Sequence, residues 1–279
     1  MSAIAVTDYW GMYGAIQFYN AAKDAGIKPI VWVELGFVVD AQAANDPKSV
    51  GNIVLLAKNQ AGYHNLLRLV TFANTDGLQH KPKIDLTQLE KYSDGVMAHF
   101  GGEESWFAKC LSHGDDRSKI REIAQKIVSI LWADHVFGEI QAQDYALVPS
   151  LRFVNEKVEQ LAQEISLPCI VNNNFHYIKS EDSYAWEAAL AIKDNMKLYD
   201  ATRRKPAGHY HIMTGDEIQA VLVKNGYSLG RSQELMDTNS RVADVIDTKI
   251  ELGITLFPDF DPSDDIKELY EKHKDTLVE

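Results

Sequence analysis

The sequence predicts an α/β fold in which a mostly parallel sheet is covered by helices on its outer side. Short apolar runs, of the length that buried strands have, alternate with segments in which apolar residues recur at helical spacing. The chain has 279 residues, which is long enough to bury a sizeable core. Its content of 46% hydrophobic and 24% charged residues is ordinary for a globular protein and argues against disorder.

The strands are predicted from the apolar runs. Each run has four or five residues and is too short for a helix, so a buried strand is the simplest interpretation. In chain order the predicted strands are residues 4–7, 30–33, 53–57, 95–98, 136–140 and 168–171.

The helices are predicted from apolar residues that recur every three or four positions. The first contains Met12, Ile16, Tyr19 and Ala22, and Gly26 closes it. The others between the strands are residues 63–72, 120–131 and 154–165. From residue 180 onward helices dominate, at 184–192, 216–223 and 233–246. A basic Pro/Gly loop at 203–208 and a break at 257–262 precede a charged helix at the end of the chain.

The charge of the chain argues against an autonomous nucleic-acid binder. Lys and Arg number 28 against 40 Asp and Glu, a net charge of −12, which repels phosphate backbones. No run of about 18 apolar residues predicts a membrane span, and the first residues lack the basic leader of a signal peptide. The two cysteines, Cys110 and Cys169, are too few for a disulfide framework, so we expect buried thiols in a cytosolic protein.

Polar residues stand at or near the ends of several predicted strands, where parallel α/β folds place their ligand-binding side chains. Asp, Glu and His that converge from separate strands can form a divalent-metal site. Ordinary polar strand ends show the same pattern, so the residues alone leave both interpretations open. The residues are Asp8, Tyr9, Glu34, Asn52, His99, Glu139, Gln141, Asn172, Asn173, Asn174 and His176.

Several segments together carry a family resemblance. They are residues 7–15 (TDYWGMYGA), 18–19 (FY), 25–30 (AGIKPI), 55–59 (LLAKN), 62–63 (GY), 173–177 (NNFHY), 181–182 (ED) and 257–260 (FPDF). In this order they span nearly the whole chain, and they resemble the PHP domain of bacterial DNA polymerase III alpha subunits.

The resemblance implies a distorted (β/α)7 barrel of the PHP type. The first residues match the family's second strand, so we expect a barrel that is incomplete at its N-terminus and has a helical C-terminal extension. The implied division is a barrel core at residues 1–200, a mostly helical part at 201–262, and the start of a linker toward a polymerase domain at 263–279. Exposed strand edges in such a barrel would favour self-association.

The resemblance also implies a set of metal-ligand positions. Four keep a competent ligand: Asp8, Glu34, His99 and His176. Three are degenerate: Tyr9 and Asn52 each replace a His, and Asn174 replaces an Asp. A neutral amide offers little to a divalent cation, and a tyrosine must first lose a proton whose pKa is about 10. The family's His-x-His pair belongs to the strand that we expect to be absent.

We therefore expect at most one weakly bound divalent metal (Zn, Mn or Mg) and no useful exonuclease activity, since hydrolysis of this kind uses two or more cations. The leading hypothesis is a non-catalytic scaffold in DNA replication. The alternatives are a metal-dependent phosphoesterase with 3′–5′ proofreading activity and a free-standing amidohydrolase-like enzyme. The family's polymerase aspartates lie in a later palm domain, so no nucleotide incorporation is expected.

The resemblance implies partners as well. We expect other replicase subunits, among them an exonuclease subunit, to dock on this domain in the cytoplasm. DNA contacts would be made mainly by other domains of the parent protein, and no membrane is involved.

Trp10 and Trp32 both stand where the resembled family has glycine. One hypothesis is that a codon read as glycine in the source, UGA being the obvious candidate, is translated here as tryptophan. The other is divergence in a pocket that no longer has to hold metals. The coding DNA distinguishes them, because UGG at both positions excludes the first.

Overall fold

Seven strands form one sheet that curls into a half barrel. The structure is a computed structural model that describes residues 2–40, 50–253 and 263–274. The chain divides into two units, Met1–Lys249 and Ile250–Glu279, and the sheet lies in the first. The strands are β1 (Ala3–Tyr9), β2 (Lys28–Phe37), β3 (Gly51–Ala57), β4 (Lys83–Ile84), β5 (Val96–Gly101), β6 (Val136–Gln141) and β7 (Cys169–Asn172).

The order of strands in the sheet is β1-β2-β3-β5-β6-β7, with the short β4 paired to β2. Four of the six pairings are parallel, and β3 is antiparallel to both of its neighbours. Among the described strands, β1 and β7 end the order at opposite sides. The α/β fold with an incomplete barrel is therefore confirmed, and the reversed direction of β3 is an addition to the prediction.

Ten helices accompany the sheet in the described residues. They are α1 (Ala15–Asp24), α2 (Gln60–Asn74), α3 (Leu86–Lys91), α4 (Trp106–His113), α5 (Arg117–Leu131), α6 (Pro149–Glu164), α7 (Ser183–Lys193), α8 (Gly215–Lys224), α9 (Leu229–Val245) and α10 (Asp264–His273). The sequence did not predict α3, α4 or β4, which are short and lack a sustained apolar period.

Helix N-terminal caps explain why several helices begin before the predicted apolar face. Asn59 accepts a hydrogen bond from the Gly62 N–H at the start of α2, and Asp116 caps the start of α5 in the same way. Thr214 and Glu217 form a reciprocal capping box at the start of α8. Such caps satisfy backbone N–H groups that have no partner within the helix, so polar first turns are stable there.

Successive side chains of a strand point to opposite faces of the sheet, so the buried residues form two hydrophobic cores, one on each face. Val33, Leu35, Leu55 and Ala98 face the helices and belong to the larger core outside the sheet. A smaller core lies on the concave face. Its buried members are Ile30, Leu56, Met97, Phe137, Ile170, Val242 and Ile246.

Helix α9 contributes to the concave side of the sheet. Val242 packs among the concave-face residues, and Asn239 binds both the N–H and the carbonyl of Val171 in β7, at 2.9 and 2.6 Å. Since Val171 belongs to the last strand of the order, α9 satisfies backbone groups that a further strand would otherwise pair. Helix α9 is thus packed directly on the sheet.

The remaining predictions concern small features. Cys110 and Cys169 are free and buried, as predicted, and burial raises the pKa of Cys110 to about 12 and that of Cys169 to about 11. The charged helix near the C-terminus is confirmed as α10 in the second unit. The predicted break at 257–262 lies outside the described residues. No helix in the described ranges is long and apolar enough to cross a membrane.

Candidate functional site at the ends of the strands

A cavity of about 220 Å³ opens on the concave face, above the small core. Its lining residues lie two or four positions beyond the core residues of the same strands: Glu34 follows Ile30, His99 follows Met97 and Glu139 follows Phe137. Because β3 is antiparallel, its first residues reach the same edge of the sheet as the ends of its neighbours. The strand period thus places polar side chains from six strands in one cavity.

The cavity brings together most of the residues that the sequence indicated. It is lined by Asp8, Tyr9, Trp32, Glu34, Asn52, Val54, His99, Gly101, Gly102, Glu103, Glu104, Ser105, Glu139, Gln141, Asn172, Asn174 and Phe175. Of the seven predicted ligand positions, only His176 is not among them.

Glu34 and Asn52 are hydrogen-bonded across β2 and β3. The Asn52 Nδ2 donates to Glu34 Oε1 at 2.5 Å. Burial raises the pKa of Glu34 to about 7, with the charges of Glu139 and Glu104 adding to it, although the bond from Asn52 and the nearby His99 act in the opposite direction. Asn52, which stands where the resemblance implies a ligand, thus stabilises the ionised Glu34. Without its hydrogen bond the pKa of Glu34 would be higher still.

His99 and Glu139 form a buried pair between β5 and β6. The His99 Nδ1 lies 2.8 Å from Glu139 Oε2, and the two residues are 1% and 3% exposed. Burial alone would raise the pKa of Glu139, but His99 and the bonds from Gln141 and Asn172 hold it below its usual value. The ionised carboxylate thus accepts the Nδ1–H, and in the neutral ring the Nε2 lone pair stays available as an acceptor or metal ligand.

Two glycines at the end of β5 let its backbone lie close to β6 beside this pair. A Cβ at Gly101 would lie 2.2 Å from the Glu139 carbonyl oxygen. Gly102 has φ +72°, and a Cβ there would lie 2.3 Å from Gln141 Nε2. The Gln141 Nε2 itself donates to Glu139 Oε1 at 3.0 Å. Glycine at both positions is required for the buried carboxylate to keep its partners.

Asp8 and Tyr9 end β1 beside the cavity. The Asp8 Oδ2 accepts a hydrogen bond from the Gly14 N–H at 2.8 Å, which ties the carboxylate to the turn before α1. Tyr9 pairs with Glu34 in the β1–β2 register. Burial, and then the charges of Glu34, Glu104 and Glu139, raise the pKa of Tyr9. The phenol is therefore neutral and is a poor ligand for a cation.

Asn174 and His176, the last two predicted ligand positions, lie in different surroundings. Asn174 lines the cavity and has φ +50°, a conformation that asparagine tolerates. The ring of His176 instead stacks on Trp186 with centroids 4.7 Å apart and lies against Tyr210. Burial and the charge of Lys193 lower the pKa of His176.

The donor atoms fit one cation better than a metal cluster. His99 Nε2 is buried and has no hydrogen-bond partner, and a His whose other nitrogen binds a carboxylate is the usual arrangement of a metal ligand. Within the described residues, however, no group of three or more His, Cys, Asp or Glu is close enough to hold a metal ion. His99 Nε2 is therefore the atom in this cavity that is best placed to hold a single cation.

Sequence reasoning listed Glu139 among the polar strand residues of a possible metal site, but the resemblance did not include it among the ligand positions. It found no role for Glu103 and Glu104, which follow β5 and line the cavity. The signal for Glu139 was present, because the period of two places it on the same face of β6 as Phe137 and Gln141. Glu103 and Glu104 lie in a loop, where no strand or helix periodicity indicates which way a side chain faces.

Comparison with known proteins gives the family. Residues 1–143 match the PHP domain, which is half of the chain and contains β1 to β6 and the cavity residues they carry. The chain belongs to the PHP domain family. The resemblance seen in the sequence is therefore confirmed, and the cavity lies at the strand ends of a PHP barrel.

The relatives of this PHP domain are DNA polymerase III alpha subunits. The subunit of Deinococcus radiodurans is 30% identical over 264 residues, which is 90% of this chain and 19% of that protein. The subunit of Borreliella burgdorferi is 31% identical over 229 residues, and that of Thermus aquaticus is 29% identical over 259 residues. These cover 78% and 90% of this chain. The chain thus spans about a fifth of the length of the relatives it matches.

Proposed function

We propose that this chain is the PHP part of a replicative DNA polymerase alpha subunit and acts as a non-catalytic scaffold. The observation that carries the proposal is the pairing of the cavity side chains with one another. Glu34 is bound by Asn52, Glu139 by His99, and Asp8 by the Gly14 N–H. The bond from Asn52 bears most directly on metals, because a neutral amide offers little to a cation and occupies an oxygen of the Glu34 carboxylate, which disfavours a multi-metal hydrolytic site.

The charge of the cavity supports the same proposal. Glu34, with a pKa of about 7, is partly protonated at neutral pH, because His99 and the bond from Asn52 offset its burial and its negative neighbours only in part. The degenerate positions add no ligand, since Tyr9 stays protonated and Asn52 is neutral. The degenerate site and the family of its relatives together favour a domain that positions other parts of a replicase.

The partners follow from the relatives. We propose that other replicase subunits, including an exonuclease subunit, dock on this domain, and that DNA is contacted mainly by other parts of the parent protein. A net charge of −12 agrees with this, because it disfavours direct binding of phosphate backbones. The corresponding location is the cytoplasm, where replication takes place in the bacteria that carry the relatives.

The deciding experiment measures metal content after purification, together with manganese- or zinc-dependent cleavage of a 3′-ended single strand. The scaffold predicts less than one metal per chain and no cleavage. Two or more metals per chain, with cleavage lost in Asp8→Ala and His99→Ala, would establish a phosphoesterase with 3′–5′ exonuclease activity instead. His64→Ala is the control, since His64 lies on α2 and not in the cavity.

The second candidate, a metal-dependent phosphoesterase, is favoured by one observation only. The His99–Glu139 pair presents an unpartnered Nε2 in a cavity that is also lined by four further carboxylates, those of Asp8, Glu34, Glu103 and Glu104. Manganese titration of the intact chain and of His99→Ala tests whether this atom binds a cation. Binding lost in His99→Ala without any cleavage in the parent chain would mean a residual structural cation.

A further inference from the structure

Two tryptophans occupy backbone conformations that suit glycine. Trp10 has φ +61°, and Trp132 has φ +75° with ψ +148°. The first lies in the left-handed region, where a bulky L-residue is a genuine outlier. The second lies near the extended positive-φ region that is almost confined to glycine. Either conformation is strained for a residue that carries a side chain.

At both positions the hydrogen bonds that the structure shows are made by the backbone. The backbone of Trp10 carries the contacts there: its N–H donates to the Glu34 carbonyl at 2.8 Å and its carbonyl accepts from Asn74. Trp132 ends α5 by donating its N–H to the Val128 carbonyl, and its side chain is 72% exposed. A residue with positive φ directly after a helix is the position where glycine is most enriched.

The other tryptophans provide a comparison within the same chain. Trp106 packs edge-on against Phe37, and Trp186 stacks on His176 and contacts Tyr210. Neither is among the residues with positive φ in the described ranges. Trp10 and Trp132 thus have glycine-like backbones, whereas Trp106 and Trp186 have indole rings that pack against other aromatic side chains.

Trp32 is the remaining tryptophan and shows a different misfit. Its Nε1 is buried without a hydrogen-bond partner, although an indole N–H usually finds one when it is buried. The ring lies 5.3 Å from that of His99 and forms a wall shared by the site cavity and a second, more apolar cavity between β1 and β7. Glycine at this position would remove the unpaired donor and join the two cavities.

We infer that positions 10, 32 and 132 are glycine in the natural protein, because their codons are UGA and the source reads UGA as glycine. UGA differs from the tryptophan codon UGG in its third base and from the glycine codon GGA in its first. Translation of UGA as tryptophan therefore gives the indole at each position, while a glycine-charged tRNA for UGA gives the residue that the backbone requires. Trp106 and Trp186 are true tryptophans encoded by UGG.

The inference changes the site but not its family. With glycine at position 32, the His99 ring loses its indole neighbour and gains access to the space between β1 and β7, which is lined by Ile4, Ile170 and Met213. Its free Nε2 then faces a larger cavity. The failure of this inference would leave the scaffold proposal untouched, because that proposal depends on Glu34, Glu139 and their partners.

The test reads the coding DNA at the five tryptophan codons and the masses of the corresponding peptides from the protein made by its own source. The inference expects UGA with glycine peptides at 10, 32 and 132, and UGG with tryptophan peptides at 106 and 186. UGG at 10 and 132, or tryptophan in those peptides, would overturn it.

A second measurement uses recombinant variants of the full chain. Trp10→Gly and Trp132→Gly should each raise the Tm by about 2–4 °C, the shift expected when one strained backbone conformation is relieved in a chain of this size. Trp106→Gly and Trp186→Gly are the matched controls and should lower it, since they lose packed rings. A lower Tm for both Trp10→Gly and Trp132→Gly would contradict glycine as the natural residue.

Discussion

The His99 Nδ1 lies 2.8 Å from the Glu139 Oε2, and both side chains are almost fully buried beneath the cavity. A buried ionised carboxylate is tolerated only when its oxygens are hydrogen-bonded. Here Gln141 binds the second oxygen, and the glycines at 101 and 102 keep β5 close enough for the pair to form. The pair therefore links two strands through the floor of the site.

Glu139→Ala is expected to lower the free energy of unfolding by about 3 kcal/mol, because it leaves His99 buried without its partner. The pKa of Glu139 is held below its ordinary value, so this contribution is present above about pH 4.5 and is lost as the pH falls below it. Urea denaturation at pH 7 and at acidic pH measures both effects.

A double-mutant cycle provides the control. His99→Ala and Glu139→Ala together should destabilise the chain by clearly less than the sum of the single changes, since either one already breaks the pair. Additive effects would show that the two side chains act independently despite their distance.

Glu34→Gln is expected to stabilise the chain at high pH. The folded pKa of about 7 lies above the ordinary value of 4.5, so Glu34 binds a proton more tightly in the folded state. Its charge therefore costs stability progressively as the pH rises from about 4.5 to about 7. The full cost is about 3 kcal/mol by the conversion of pKa into free energy, and Glu34→Gln should recover most of it at pH 8 and nothing at pH 4. Urea denaturation across this range of pH measures the difference.

Glu90→Gln is the matched control, because Glu90 is exposed at the surface of α3. It should leave the stability unchanged across the same range of pH. Equal stability of the Glu34→Gln and parent chains at pH 8 would mean that the Glu34 charge is already compensated. Added manganese that stabilises the parent chain but not Glu34→Gln would identify the compensating cation.

The strands and long helices could be predicted because burial imposes a period on their residues. The run at 136–140 became β6 (Val136–Gln141) and the periodic segment 120–131 became α5 (Arg117–Leu131). The antiparallel direction of β3 could not be predicted, because a short apolar run carries no direction. The position of α9 on the concave face was also hidden, since it depends on the contact between Asn239 and β7.

The site divides in the same way. The resemblance identified Asp8, Glu34, Asn52 and His99, which the cavity does bring together. It could not show that Asn52 donates to Glu34, or that His176 stacks on Trp186, because side-chain contacts depend on rotamers. The ligand roles of these residues and the boundaries at residues 200 and 262 stay predictions.

Asn239→Ala is expected to destabilise the chain by about 1–3 kcal/mol, because its two bonds satisfy the N–H and the carbonyl of Val171. Ser240→Ala, at the next position of α9 and exposed, is the control and should have little effect. Thermal or urea unfolding measures the difference. Similar stability for the two variants would mean that water or a neighbouring group replaces the amide at β7.

The outer edge of β1 predicts self-association. In the described sheet β1 is the first strand of the order and pairs only with β2, and Ile4 lies beside the apolar cavity at this edge. An unpaired, apolar strand edge is a template for pairing with another chain. We expect the mass measured by light scattering to rise with concentration for the parent chain and to stay monomeric for Ile4→Lys, because a charge at the edge opposes pairing. Ile16→Lys, on the exposed surface of α1, makes the same change away from the edge and should not alter the parent's behaviour. A monomeric parent at every concentration would contradict the expectation, because it would show that the β1 edge does not pair with another chain.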